Sequence, residues 1–171
     1  MSYMFYRCKK LTDIKLTNFD TSGTTDMTQM FSECSSLTKL DLSSFDTSKV
    51  TSMSYMFAYC ENLTNVYLSN FDTSNVVSMN SMFYYCSNLA NIDVSGFNTS
   101  KTVNMNGMFS YCKSLKSLDV SSFDTSKVTN LASMFTGCEG LTALNISNFS
   151  TAKARDIGGM FGGCEILTTL I

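Results

Sequence analysis

The side chains best suited to chemistry in this sequence are seven cysteines: Cys8, Cys34, Cys60, Cys86, Cys112, Cys138 and Cys164, 26 residues apart each time. A thiolate can ligate a metal, join a disulfide or act as a nucleophile, and each use requires a particular spacing or partner. No C-x-x-C pair occurs and the chain has no histidine, so zinc-ligand spacing is not met and the familiar nucleophile–base pairs are missing. The carboxylates Asp20, Asp46, Asp72 and Asp124 recur at the repeat interval instead of converging on one cleft. The expectation is a non-enzyme with no metal and no cofactor, its cysteines serving as small buried apolar side chains. Asp46 with Lys49 and Asp124 with Lys127 read as exposed turn pairs of little energetic weight.

Recognition is better sought in columns that vary from repeat to repeat. One such column reads Lys15, Asp41, Tyr67, Asp93, Asp119 and Asn145; beside it runs Asp13, Lys39, Asn65, Asn91, Ser117 and Ala143. Tyr59, Tyr85 and Tyr111 stand immediately before successive cysteines, and aromatic side chains in line offer apolar contact area at small entropic cost. The candidate binding surface is therefore Asp41, Tyr67, Asp93, Asp119, Tyr59, Tyr85 and Tyr111, with covering of neighbouring coils as the competing role for the last three.

These residues must be carried by a repeating element, because a fixed period between about 20 and 50 residues is the signature of a solenoid. All thirteen phenylalanines fall in two columns and all twelve methionines in two others. In one unit Met53, Met56, Phe57, Cys60 and Leu63 are spaced as on one helical face, which predicts a short helix over 52–61 capped by Thr51 or Ser52. Leu63-x-x-Val66-x-Leu68 and its counterparts predict strands near 38–42, 64–68, 90–94, 116–120 and 142–146. Val50, Val76 and Val128 point to a second short strand on the return. The expected fold is α/β: a right-handed leucine-rich-repeat-like solenoid of 26-residue repeats, with one parallel β-strand and one short helix per coil.

The chain has 171 residues, 44% of them hydrophobic, enough for a core. Charged residues make up only 15% and the net charge is −2, which argues against a nucleic-acid partner. No apolar run is long enough to cross a bilayer, so this segment is not expected to insert in a membrane. Met1 is in register with Met27, and Ile171 falls partway through the next strand pattern. We therefore expect residues 1–171 to be a single array of about six and a half repeats cut from a longer repeat protein, with any export signal and anchor lying outside this segment.

Residues 40–57, LDLSSFDTSKVTSMSYMF, resemble the BspA-like leucine-rich repeats of bacterial surface proteins, in the mycoplasma lipoprotein-type subtype. The resemblance covers the whole chain through F-D-T-S-x-V and M-x-x-M-F-x-x-C. It implies an extracellular or cell-surface location and adhesion through a protein or glycan ligand. The alternative role is a stalk or spacer, with end-to-end self-association through uncapped ends. One departure concerns the turn: where ordinary leucine-rich repeats place an asparagine ladder, this chain has Phe45, Phe71, Phe97, Phe123 and Phe149. Because phenyl rings cannot hydrogen-bond, the column Thr21, Thr47, Thr73, Thr99, Thr125 and Thr151 is expected to satisfy backbone groups between coils instead.

Overall fold

A computed structural model describes all 171 residues. The coils stack in register, and 41 buried residues form one continuous apolar cluster along the stack. Phe5, Phe31, Phe57, Phe83, Phe109, Phe135 and Phe161 make a single file, with ring centroids 5.2–6.0 Å apart and planes within 13° of parallel. This repeat solenoid differs from the expected one in a central respect: it contains no helix.

The M-x-x-M-F-x-x-C segment, read above as a short helix, is instead a run of tight turns. Met30, Ser32 and Cys34 donate to the carbonyls three residues earlier, at 3.1–3.2 Å. The alternate residues Met27, Gln29, Phe31 and Glu33 donate outward, to Ser52, Ser54, Met56 and Ala58 of the next coil, at 2.7–3.0 Å. Turns of this kind place Met27, Met30, Phe31 and Cys34 inward at the same i, i+3, i+4, i+7 spacing as a helical face, so the apolar stripe cannot tell the two apart. The backbone can. Gln29 (φ 54°) and Glu33 (φ 61°) are left-handed, as are Tyr55, Tyr59, Ser81, Tyr85, Tyr111 and Ser133 in the same columns, and a type II turn requires φ > 0 at its third residue. Gly107, Gly137, Gly159 and Gly163 occupy these two columns with φ of 60–72°. A segment this short is marginal as a helix in water, and inter-coil hydrogen bonds offset the cost of the left-handed residues, about 1–2 kcal/mol each.

Two further ladders run along the stack. Asp26, Ser52, Ser78, Asn104, Asn130 and Asp156 form consecutive parallel bridges, flanked by bonds from Thr51, Val77, Val103, Thr129 and Arg155 to the preceding coil at 2.8 Å each. The return segment thus carries the second extended ladder expected from its valines, as single bridges. The threonine column behaves as anticipated. Thr99 Oγ1 donates to the Asp124 carbonyl at 3.0 Å and accepts from the Asp124 N–H at 2.7 Å, and Thr21 and Thr125 do the same to the next coil.

The strand side is less regular than expected. Strand β1 (Lys39–Asp41) pairs in parallel with β2 (Asn65–Tyr67), and β3 (Ala143–Leu144) with β4 (Thr169–Leu170). Segments 90–94 and 116–120, expected as strands, form no strand and have no ladder partners. Their inward residues Val94 and Val120 remain buried, so the apolar pattern survives where the pairing is lost. The backbone is therefore laced continuously through the turns and only in part through the strands.

Candidate functional site

The outward strand column places Asp41, Tyr67, Asp93 and Asp119 at the surface, as its alternation requires. The aspartates have a structural task as well. Asp41, Asp93 and Asp119 each accept a hydrogen bond from the backbone N–H of the serine two residues on, Ser43, Ser95 and Ser121, at 2.9–3.0 Å. Such Asx turns bend the chain out of the strand. Hydrogen bonding from these serines holds all three carboxyls below the usual aspartate range. Tyr67 interrupts this column: it cannot cap a turn, and half of its surface, 52%, is exposed. Asp46 and Asp124 do not pair with Lys49 and Lys127; they too cap turns, through the N–H groups of Ser48 and Ser126 at 2.9 Å.

The second group of candidates comes together on the turn side. Tyr59 and Tyr85 stack with centroids 5.4 Å apart, and Tyr85 and Tyr111 at 4.4 Å. Tyr84 stands edge-on to all three at 4.8–6.1 Å. Tyr59 is exposed, whereas Tyr85 and Tyr111 are half-buried, so the row both covers its neighbours and faces solvent. Residues Ala58 and Ser110, before and after Tyr84 in its column, are small, which leaves room for its ring. Burial, followed by the adjacent phenols, pushes the Tyr84 hydroxyl up to about 12. The row ends at Gly137, where a Cβ would lie 2.6 Å from Tyr111 Cδ1. At its other end the column continues as Glu33 and Arg7, paired at 3.0 Å, with Lys9 3.3 Å from the same carboxylate. Lys9, Glu33, Ser35, Tyr59 and Glu61 line an open depression of about 400 Å³ there.

Tyr84 and the left-handed setting of the tyrosine row were not found from sequence. The detectable signal was the four glycines that replace tyrosine and serine in two columns four residues apart.

The cysteine column sits on closely stacked turns, not on helices. Each thiol from Cys34 to Cys164 donates to the carbonyl of a phenylalanine in the preceding coil, at 3.1–3.2 Å. All seven cysteines are free. Successive cysteines therefore lie at the coil spacing and not at the roughly 8–10 Å that packed helices would impose. In-register stacking sets successive Cβ atoms at about the coil spacing of 4.8 Å with parallel Cα–Cβ vectors, whereas a disulfide needs Cβ atoms about 3.8 Å apart and turned toward one another. Burial pushes the Cys34 thiol up to about 11 and the Cys138 thiol up to about 12.

The family model described as "Mycoplasma protein of unknown function, DUF285" matches residues 1–89 and 60–171, which together span the sequence. The chain belongs to this family. The mycoplasma-type motifs quoted above are therefore those of DUF285 repeats. Among solved structures, the DUF285 chain is similar to a leucine-rich repeat protein from Bacteroides ovatus, with 16% identity over 84% of this chain and 39% of that one, at a TM-score of 0.45. It is also similar to a leucine rich cell surface protein from Faecalibacterium prausnitzii, with 17% identity over 99% of this chain and 68% of that one, at a TM-score of 0.34. The chain thus spans about two fifths of the length of the Bacteroides protein. No curated protein sequence matches it.

Proposed function

We propose that this array is a non-catalytic module displayed outside the cell or on its surface, where it adheres to a protein or glycan. The observation that carries the reading is the row Tyr59, Tyr85 and Tyr111, stacked at 5.4 and 4.4 Å on the solvent side of the turns. Rigid aromatic groups at a surface provide recognition area with little side-chain entropy to lose. The exported location rests on the likeness of the motifs to bacterial surface repeats.

The test is adhesion of array-coated beads to immobilised matrix proteins and to a glycan array. Replacing Tyr59, Tyr85 and Tyr111 with alanine should abolish capture while the array stays folded by circular dichroism. Capture that survives this change but disappears when coils are removed would favour the second reading, a stalk or spacer. That reading draws on the near-identity of the inward columns from coil to coil, which suits a rod built of repeated units. It calls for capture that scales with the number of coils and not with any one surface residue.

A further inference from the structure

The strand side contains one junction unlike the rest. Between segments 38–45 and 64–71 the coils are tied by β1–β2 pairing and by Asn70 Nδ2 on the Ser43 carbonyl at 2.6 Å. Between 90–97 and 116–123 the ties are Lys116 N on Ala90 O and Ser122 Oγ on Val94 O, both at 3.4 Å. Between 116–123 and 142–149, Asn148 Nδ2 reaches three carbonyls, Val120, Ser121 and Phe123. Even at the N-terminal junction Ser44 Oγ bonds the Leu16 carbonyl at 3.4 Å. No hydrogen bond joins 64–71 to 90–97. The column that supplies Ser44, Asn70, Ser122 and Asn148 has Gly96 here, with no side chain to reach across.

The coils part at this point. A cleft of about 330 Å³ opens over Val66, Leu68, Phe71 and Phe97. Val66, Leu68 and Phe71 are 9%, 8% and 6% exposed, where Leu40, Leu42 and Phe45 one coil earlier are 1%, 0% and 1%. Tyr67, the residue that breaks the turn-capping column, stands at the rim with Asp93, and the groove continues past Asn91 to Asp119. Neither carboxylate has a cationic partner; the ion pairs of the molecule are Arg7–Glu33, Lys9–Glu33 and Lys113–Glu139.

We propose that this cleft binds an extended, basic segment of a partner protein, laid along the open edge of β2 with a lysine or arginine over Tyr67 and between Asp93 and Asp119. The proposal deepens the binding-module reading and rests on it. Three properties select this occupant. An unpaired strand edge is satisfied by another strand's backbone. An exposed aromatic face attracts a cation. Two carboxylates without counter-charge favour a cationic ligand over a neutral one and strengthen its hydrogen bonds. A neutral sugar would meet the ring and the amides but would leave charge and edge uncompensated.

A fluorescein-labelled, alternating valine–lysine heptapeptide tests this by anisotropy, with amide shifts of residues 65–67 and 91–97 mapping the site. The decisive variant is Gly96→Ser. A Cβ at Gly96 meets nothing within 4 Å, and by analogy with Ser122 the new hydroxyl donates to the Leu68 carbonyl and closes the cleft. Binding should weaken roughly tenfold, about 1.4 kcal/mol, although neither Tyr67 nor an aspartate has changed. Asp93→Asn with Asp119→Asn should do likewise, and so should raising the salt. Tyr67→Ala, which removes the aromatic face without adding charge and should also weaken binding roughly tenfold, carries the test should Gly96→Ser fail to fold. The proposal is overturned if the peptide does not bind, if it binds all variants alike, or if its neutral N-acetyl-lysine form binds equally well. It is overturned too if chitotetraose, and not the peptide, shifts these amides, an outcome that would leave the surface-binding reading standing. Failure of that broader reading shows instead as array-coated beads that are captured by no matrix protein and no glycan.

Discussion

Thr99→Val removes one oxygen from the centre of the stack and leaves the side-chain shape nearly unchanged. Thr99 is fully buried, and its hydroxyl holds both backbone groups of Asp124, at 2.7 and 3.0 Å. Valine strands a donor and an acceptor together. An unsatisfied buried group costs about 1–3 kcal/mol; Asp124 is itself a surface residue, so water reaches its backbone in part and the low end applies to each. The expected loss is about 2 kcal/mol, which lowers the melting temperature of a chain this size by roughly 4–8 °C. Thr99→Ser keeps the oxygen and gives up one methyl, so its cost should stay near 0.8 kcal/mol. Thermal melts of the three proteins, with hydrogen exchange at the Asp124 amide, separate the two effects. Exchange there should accelerate in the valine variant alone. If valine and serine variants melt together with equal Asp124 protection, the threonine column is filling space and the ladder argument fails.

Thiol titration without reductant should find seven groups after denaturation and slow labelling before it, the half-buried Cys8 and Cys164 reacting ahead of the rest; fewer than seven would mean disulfides. Ser133→Gly should stabilise by up to about 1 kcal/mol, because Ser133 is left-handed (φ 57°), whereas Gly137→Ala should destabilise by forcing Tyr111 aside; equal melting temperatures would refute the left-handed assignment. Asp20, Asp46, Asp72 and Asp124 are held below the ordinary value of 3.8, first by hydrogen bonds from the serines two residues on. Their contribution is fully present above pH 3.8 and lost as pH falls through the lowered native values, so urea midpoints should be flat near neutrality and drop in acid, less so in Asp46→Asn.

The period, the inward columns and the threonine ladder were legible because each depends on which residue recurs, and recurrence is a property of the sequence. The helix was misread for a physical reason. Met53, Met56, Phe57 and Cys60 are inward in either conformation, and apolar spacing records inwardness, not the path of the hydrogen bonds. The deciding residues were Gly107 and Gly137, standing where Ser81 and Tyr111 stand one coil earlier; their shared left-handed φ excludes a helix. The missing strand pairing at 90–94 was harder to see, since Leu89, Ile92 and Val94 match the paired coils. Pairing there depends on the distance between coils, which the apolar pattern does not record, and 116–120 goes unpaired too although Ser122 and Asn148 tie its junctions. Among the candidate site residues, the sequence placed Asp41, Tyr67, Asp93 and Asp119 outward without showing that the aspartates also cap turns.

A column of stacked coils stitched along two sides and only partly along the third does not have one bending stiffness. Flexing that spreads the turns must break the ladder through Met27, Gln29, Phe31 and Glu33 and its counterparts in every coil. Flexing in the opposite sense spreads the strand side, where segments 64–71 and 90–97 share no hydrogen bond to break. The array is therefore a directional spring: stiff against bowing one way, compliant the other, with its point of greatest compliance set by Gly96. Compressed along its axis, such a rod bows in one direction only, the one that opens its strand side near Gly96.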